Sequence, residues 1–424
     1  MKNLDTVLVL GAGASMDYGF PSGEQLIEDI VNILEGKIIA GATNNKMSIA
    51  LIVFFNNFKD NPEETYERCY RDVVQFSNRL VSSSSKSIDD FLHNISKDGK
   101  HPNYALIGKI CIVTAISRYE NKEENFSMKW VNTPKKHRYF NEVNKFYKNT
   151  YSNRAELPVG HLVLNDGWYN YLWNQLYTDK SIEAALKKLT IITFNYERSL
   201  EYFLHNRLMN LLGLSSEDSS KMLRDNLAIH HVYGTLGNLF QIHDTKEIET
   251  EYKSVDVIRH ISEITESLKG SRNFPQNITP SNFDRIEDLL KNSIEFSRVL
   301  KESIASSKIL EICNQIRTYT EAAEKKPQHV YDKVKSAKRI FFLGFGYHRQ
   351  NLTWLNNPSQ EFNGTLFGTT LNLGKTQMIN IKRTLKSFFS CKRNGGHVVP
   401  DDIQHLSEFN SYKIQDYFIN VEEL

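Results

Sequence analysis

Apolar residues in this chain gather in short runs that stop at glycine. Val7-Leu8-Val9-Leu10 is an unbroken run of strand formers ending at Gly11-Ala12-Gly13-Ala14-Ser15, the pattern of a strand buried on both faces and followed by a tight turn. Beyond Gly19-Phe20-Pro21, Ser22 stands three positions before Gln25, a capping arrangement. Leu26, Ile27, Ile30, Ile33 and Leu34 then recur at helical spacing. Leu189 to Phe194 predicts a second strand, and Leu200, Phe203, Leu204, Leu208 and Leu211 mark a helix after it. Ala228 to Tyr233, before Gly234, is a third candidate strand. Arg339 to Leu343, before Gly344-Phe345-Gly346, repeats the strand-into-glycine design of the N-terminus. Leu366 to Leu373 predicts a further strand and Lys375 to Phe389 a helix. Strands separated by helices, with glycine at their carboxyl ends, predict an α/β fold with an open parallel sheet whose ligand lies across those ends.

Two longer stretches read differently. Residues 41–187 and 250–332 are rich in Tyr, Phe, Asn and Lys, with helical periodicity near 63–80, 87–95, 104–119 and 138–149 and loops at Ser82 to Ser85 and Asn121 to Arg138. We read them as helical insertions forming a second lobe over the ligand, with the core assembled from 1–36, 186–240 and 336–395. The 424 residues allow up to about three domains at roughly 150 residues each, but one large α/β core also reaches this length.

Composition narrows the class. With 40% apolar and 24% charged residues and only 10 Pro, a disordered or linker-rich chain does not fit. No apolar stretch approaches the roughly 18 residues of a membrane span, and Met1 to Asp5 lacks the order of a secretory signal, so a cytosolic compartment is expected. Lys and Arg number 52 against 50 Asp and Glu, a net charge of +2 that offers no general affinity for nucleic acid or anionic lipid. The basic clusters Lys135 to Arg138 and Lys382, Arg383, Lys386, Lys392 and Arg393 read first as solvated faces, and nucleic-acid contact stays open only as a local matter. Cys69, Cys111, Cys313 and Cys391 stand far apart without a C-x-x-C pair, and no His, Asp or Glu spacing suggests metal ligands. No metal cofactor is expected.

A strand ending in Gly-x-Gly lets backbone approach a pyrophosphate, but this signal alone also fits an ordinary structural turn. The dinucleotide fingerprint wants a third glycine where this chain has Met16, and an acidic residue about 20 residues on, closing a second strand that is not evident. Read together, the separate segments say more. Gly11-Ala12-Gly13-Ala14-Ser15, Gly19-Phe20-Pro21, Thr193-Phe194-Asn195-Tyr196-Glu197, His231 to Gly234 and Gly344-Phe345-Gly346 resemble, in order, the motif series of the sirtuin superfamily. Ser22 stands where that pattern has Asp after Pro, Phe194 where it has Gln and Glu197 where it has Asp, while Asn195 is retained. With Ser87-Ile88-Asp89-Asp90-Phe91-Leu92 and the His-Val-Tyr-Gly-x-Leu-Gly form at His231 to Gly237, the chain resembles the bacterial sirtuin-like NADases of antiphage defence more than the deacylases, whose four-cysteine zinc module it cannot build.

The resemblance implies a sirtuin-like, Rossmann-type sheet and hydrolysis of NAD+ to nicotinamide and ADP-ribose. It implies catalytic roles for Asn195, beside the nicotinamide ribose, and for His231 as general base. Gly11, Ala12, Gly13, Ala14, Ser15, Phe20, Pro21, Thr193, Phe194, Glu197, Tyr233, Gly344 and Gly346 would hold NAD+. Cleavage of the nicotinamide bond passes through an oxocarbenium-like state and its leaving group is already cationic, so the site needs a group that orients ribose and water and a base rather than an acid. Aligned on its glycine, the third motif puts Tyr233 at the sirtuin histidine position, so either residue can fill it. His230, the strand neighbour of His231, faces the other side. NAD-dependent deacylation, ADP-ribosyl transfer and a non-catalytic NAD or ADP-ribose sensing module remain as alternatives. The resemblance further implies a homo-oligomer and a HerA-type hexameric ATPase as partner. With about 30 residues after the last core helix, no separate sensing domain is expected and control would come from outside.

Overall fold

The computed structural model describes residues 5–34, 53–54, 57, 66–97, 99–120, 168–177, 181–237, 304–324, 327–356, 362, 364–369, 375–389, 392–393 and 396–397. Its centre is a five-stranded sheet of β1 (Thr6–Leu10), β2 (Leu189–Thr193), β3 (Ala228–His231), β4 (Arg339–Leu343) and β5 (Thr365–Gly368). The spatial order is β3-β2-β1-β4-β5 and every neighbouring pair is parallel. Leu10 pairs with Thr193 on one side and Leu343 on the other, so the glycine turns and Asn195 leave the sheet along one edge. The chain steps outward from β1 through β2 and β3, then returns to the far side of β1 for β4 and β5. The crevice beyond the carboxyl ends of β1 and β4 is thus the point where strand order reverses, the place where such Rossmann-like sheets take ligands.

Why the apolar runs become strands is plain from their two faces. Val7 and Val9 join Ile192, Ile340 and Phe342 in one core, while Leu8 and Leu10 join Leu189, Ile191, Phe341 and Leu343 in another. A strand covered on both sides needs no polar alternation. Leu8 is fully buried, and truncating it to Ala would cost about 2–5 kcal/mol.

On the first face lie α1 (Gly23–Leu34), α2 (Tyr66–Ser82), α3 (Ile88–Ser96) and α4 (Tyr104–Glu120), whose Ile30, Phe76, Phe91 and Ile110 share the core of Val7 and Val9. The second face is covered by α5 (Trp168–Tyr177), α6 (Ile182–Lys187), α7 (Ser199–Leu212) and α8 (Ser216–Asn226). Later come α9 (Ile304–Cys313), α10 (Tyr319–Glu324), α11 (Gln328–Ser336), α12 (Arg349–Leu355) and α13 (Lys375–Phe388), all contributing to the first core. The described helices of 41–187 and 250–332 therefore share their apolar cores with the sheet. Of these helices, α3 through its start and α4 through Ile116 also line the cleft at the carboxyl edge.

The helices expected near 63–80, 87–95 and 104–119 are α2, α3 and α4, and the capping pair is present as Gln25 N to Ser22 Oγ (3.2 Å) and Ser22 N to Gln25 Oε1 (2.9 Å). The periodicity at 138–149, the loop at 121–138 and the cluster Lys135 to Arg138 lie outside the described residues. The third strand ends at His231, two residues earlier than expected, because the chain turns through Val232 and Tyr233 into Gly234, which adopts φ +78° against the backbone of Gln315. The fifth strand starts at Thr365 and is described through Gly368. The helix α8 has no counterpart in the apolar pattern: it is mostly polar, is capped by Ser215 whose Oγ accepts from Asp218 N, and buries Leu223 as its one large apolar side chain. None of the described helices is long and apolar enough to cross a membrane.

Candidate active site

The two glycine turns meet backbone to backbone over the sheet edge. Gly11 N donates to Leu343 O (3.1 Å) and Gly13 N to Gly344 O (3.0 Å). A Cβ on Gly11 would lie 2.6 Å from Gly344 O, one on Gly13 2.8 Å from Gly344 Cα, and one on Gly344 2.1 Å from Ala14 N. Gly344 also holds φ +55°, a left-handed value that side chains disfavour. Close approach of these two turns to each other is therefore what requires glycine here. The amides of Gly11, Gly13, Ala14 and Ser15 are all bonded within this crossing. At this end of β1 the amides of Ala12, in the turn itself, and of Gly23 and Glu24, in the first turn of α1, bond to no described residue.

Asn195 follows β2 at the same edge and is 8% exposed. Its backbone N donates to Thr193 Oγ1 (3.1 Å), and its Nδ2 faces three acceptors: Gly11 O (3.1 Å), Ser15 Oγ (3.2 Å) and Glu197 Oε1 (3.2 Å). Such an environment fixes which end of the amide is nitrogen. Oδ1 accepts from no described residue, and the side chain lines a cleft of about 420 Å³, within the usual range for small-molecule sites. Glu197 Oε2 in turn accepts from Ser199 N (2.6 Å), which ties the Asn195 amide to the start of α7.

The cleft is walled by Phe20, Pro21, Phe194, Tyr196, Tyr233 and Phe345 and roofed by Lys86, Ser87, Ile88 and Asp89 from the start of α3. Phe194 lies 5.3 Å from Phe345 and Tyr196 stacks 6.1 Å from Tyr233, centroid to centroid. Asp89 accepts a hydrogen bond from the Tyr196 hydroxyl. Burial pushes its carboxyl up to about 6, with Asp90 adding to the rise and the Tyr196 bond opposing it. On the other side of the glycine crossing, His348, Gln350 and Asn351 line the cleft, and the Tyr233 hydroxyl donates to Asn351 Oδ1 (2.6 Å). Burial lowers the His348 imidazole below its ordinary value.

Of the residues expected from sequence, Gly11, Ala12, Gly13, Ser15, Phe20, Pro21, Phe194, Asn195, Glu197, Tyr233, Gly344 and Gly346 line this cleft. Ala14, Thr193 and His231 do not. Ala14 O accepts from Trp168 Nε1 (2.7 Å), and Thr193 acts through the backbone of Asn195. His231 is turned away: Nδ1 bonds to Asn195 O (3.1 Å) and Nε2 pairs with Glu201 Oε1 on α7. A carbonyl only accepts, so Nδ1 carries a proton. Burial alone would lower this imidazole, but the Glu201 carboxylate outweighs it and holds His231 above its ordinary value, as a cation in an ion pair. His230 points to the opposite face, stacked 5.5 Å from Trp354, where burial pushes it down to about 4. Sequence reasoning left out of the site Asp89 and Tyr196, and with them Lys86, Ile88, Ile116 and Gln350 among others. The signal for Asp89 is the Ser-x-x-Asp cap at Ser87 to Asp90, present as Asp90 N to Ser87 Oγ (3.1 Å), which marks a helix start but not what it faces; Tyr196 has none beyond its place beside Asn195.

Among the described residues no group of three or more His, Cys, Asp or Glu could hold a metal ion, and Cys69, Cys111 and Cys313 are buried free thiols. Compared with known proteins, the chain matches no family model, no curated protein and no solved structure. Fold and site together define an α/β protein with a Rossmann-like parallel sheet and a cleft at its switch point.

Proposed function

We propose that this chain binds NAD+ across the crevice between β1 and β4 and hydrolyses it to nicotinamide and ADP-ribose. The observation that carries the reading is Asn195: a buried amide locked by three acceptors at the carboxyl end of β2, its free carbonyl turned to the cleft beside the glycine crossing. A locked acceptor of this kind suits a ribose hydroxyl and a water, and orienting both replaces much of the entropic cost of bringing them together. The first-turn amides of α1 suit the pyrophosphate, by the usual attraction of a helix N-terminus for anions. The aromatic wall would keep bulk water from the oxocarbenium-like state.

The resemblance to sirtuin-like defence NADases supports the same chemistry. It extends the proposal to an antiphage effector that depletes NAD+ in the cytosol, acts as a homo-oligomer and is governed by a HerA-type ATPase. One observation favours a second reading: the imidazole expected to act as base is locked in an ion pair, as it would be in a module that holds NAD+ or ADP-ribose without turnover.

Incubating the purified chain with NAD+, without any acyl-lysine peptide, and separating the products tests both. Release of nicotinamide and ADP-ribose supports hydrolysis. Calorimetric binding of NAD+ with no nicotinamide released, alone or with partner, supports the sensing module. A strict need for an acylated peptide would mean deacylation.

A further inference from the structure

We infer that Asp89, at the start of α3, is the group that takes the proton from the attacking water, and that His231 positions Asn195 instead. This rests on the hydrolase reading above.

Few groups near Asn195 are available to accept a proton. Both His231 nitrogens are engaged, by Asn195 O and Glu201, and the ring does not line the cleft. Both Glu197 oxygens are engaged, by Asn195 Nδ2 and Ser199 N. Glu24 is exposed at the start of α1, and His348, which lines the cleft after β4, is the remaining competitor that the test below separates. Asp89 lines the cleft and is hydrogen-bonded by the hydroxyl of Tyr196, the residue next to Asn195. Besides that hydroxyl and its own amide, no described group donates to the carboxylate, which leaves acceptor capacity for a water. An acid and an oriented amide lining one cleft are the parts that water activation needs.

The step balances with water as the only co-reactant. The water oxygen bonds to ribose C1′ as the bond from C1′ to nicotinamide breaks, and that electron pair stays on the pyridine nitrogen, giving neutral nicotinamide. Asp89 takes one water proton and later releases it to solvent, so NAD+ and water give nicotinamide, ADP-ribose and a proton.

Protonation of Asp89 sets the acid limb. The charged and titratable groups around it are Asp90 and Lys86 on its own segment, Tyr196 and Glu197 after β2, Tyr233 after β3, His348 after β4 and Glu24 on α1. Burial dominates and holds the carboxyl at about 6. The Tyr196 hydrogen bond favours the ionised form, so losing it moves the limb upward.

The test measures NAD+ hydrolysis by the full chain, with any partner it requires, across pH, alongside NAD+ binding by calorimetry. Wild-type kcat/KM should fall about tenfold per pH unit below about 6. Asp89→Asn should lose about 100-fold or more in kcat while NAD+ affinity stays within about threefold. Tyr196→Phe, which also alters the cleft wall, should shift the acid limb of its remaining turnover to higher pH, a change that neither His231 nor His348 as base would produce, and one that stays readable if Asp89→Asn folds poorly. Asp89→Asn with kcat near wild type, or Tyr196→Phe with an unmoved limb, overturns the assignment and leaves hydrolysis standing. A wild type that binds NAD+ and never releases nicotinamide overturns both.

Discussion

The Nδ1 of His231 donates to the backbone carbonyl of Asn195 at 3.1 Å, while Nε2 of the same ring is held by Glu201. One imidazolium thereby ties the end of β3 to the loop after β2 and to α7. Removing His231 would strand a buried carboxylate as well as the Asn195 loop. Its loss is expected to cost about 3–5 kcal/mol, because breaking one half of a buried pair leaves the other charge unpaired. Chemical denaturation of His231→Ala checks this, and any loss of activity in that variant has to be read beside its stability.

The same pair should make stability depend on pH. The folded His231 is held above its ordinary value, so its contribution is complete below about 6.5 and is lost as pH rises through the raised folded value. Thermal melts should show Tm falling across that alkaline window. Glu201→Gln should abolish the fall, and an unchanged pH profile in Glu201→Gln would remove the ion pair from the account.

Asp89 has the opposite consequence for substitution. Its folded carboxyl sits at about 6 against an ordinary 3.8. The folded state therefore binds a proton more tightly, and stability is lost as pH rises between those two values. At neutral pH the ionised, partly buried carboxylate works against the fold. Asp89→Asn keeps an acceptor for Tyr196 and is expected to be more stable than wild type by on the order of 1 kcal/mol at pH 7, the usual trade at a functional acid. Differential scanning calorimetry should show the gain at about pH 7, a smaller gain at about pH 5 inside the window, and none once pH falls below the ordinary value of 3.8.

Asn195→Ala should remove hydrolysis by about 100-fold or more while the upward shift of Tm on adding NAD+ persists, because binding to the folded state alone produces that shift. Loss of both together would mean that the amide builds the cleft instead of acting in it.

Two glycines with similar left-handed backbones should behave differently. Gly213 has φ +67° and an added Cβ there would meet nothing within 4 Å, so Gly213→Ala should cost only about 1 kcal/mol. Gly344→Ala meets backbone at 2.1 Å and should cost several times as much or prevent folding. Urea unfolding of both variants gives the comparison.

Much of this arrangement is legible in the sequence. Runs such as Val7 to Leu10 and Ile340 to Leu343 identify themselves because a strand buried on both faces has no polar interruption, and the glycines after them mark the edge where Asn195 also lies. The capped helices α1 and α3 are equally readable, since Ser22 with Gln25 and Ser87 with Asp90 act within four residues. Helix α8 is not, because a polar surface helix that buries one leucine carries almost no periodic signal. The role of His231 is hidden for a different reason. Periodicity tells which side of β3 a residue faces, but its partner Glu201 lies 30 residues away on α7, and only the packed fold shows that the imidazole is already taken. Asp89 is legible as part of a helix cap, while the cleft below it is not.

Where Gly11, Gly13 and Gly344 cross, the base of the cleft is made of main chain with no room for a single added carbon. Substitution can break that base but cannot reshape it. Any difference in what this site accepts has to be written on its movable surfaces, the opening turn of α3 and the ring wall of Phe194, Tyr196, Tyr233 and Phe345. A library confined to those positions would sample new ligand preferences on an unaltered foundation, whereas one aimed at the glycines would yield mostly unfolded chains.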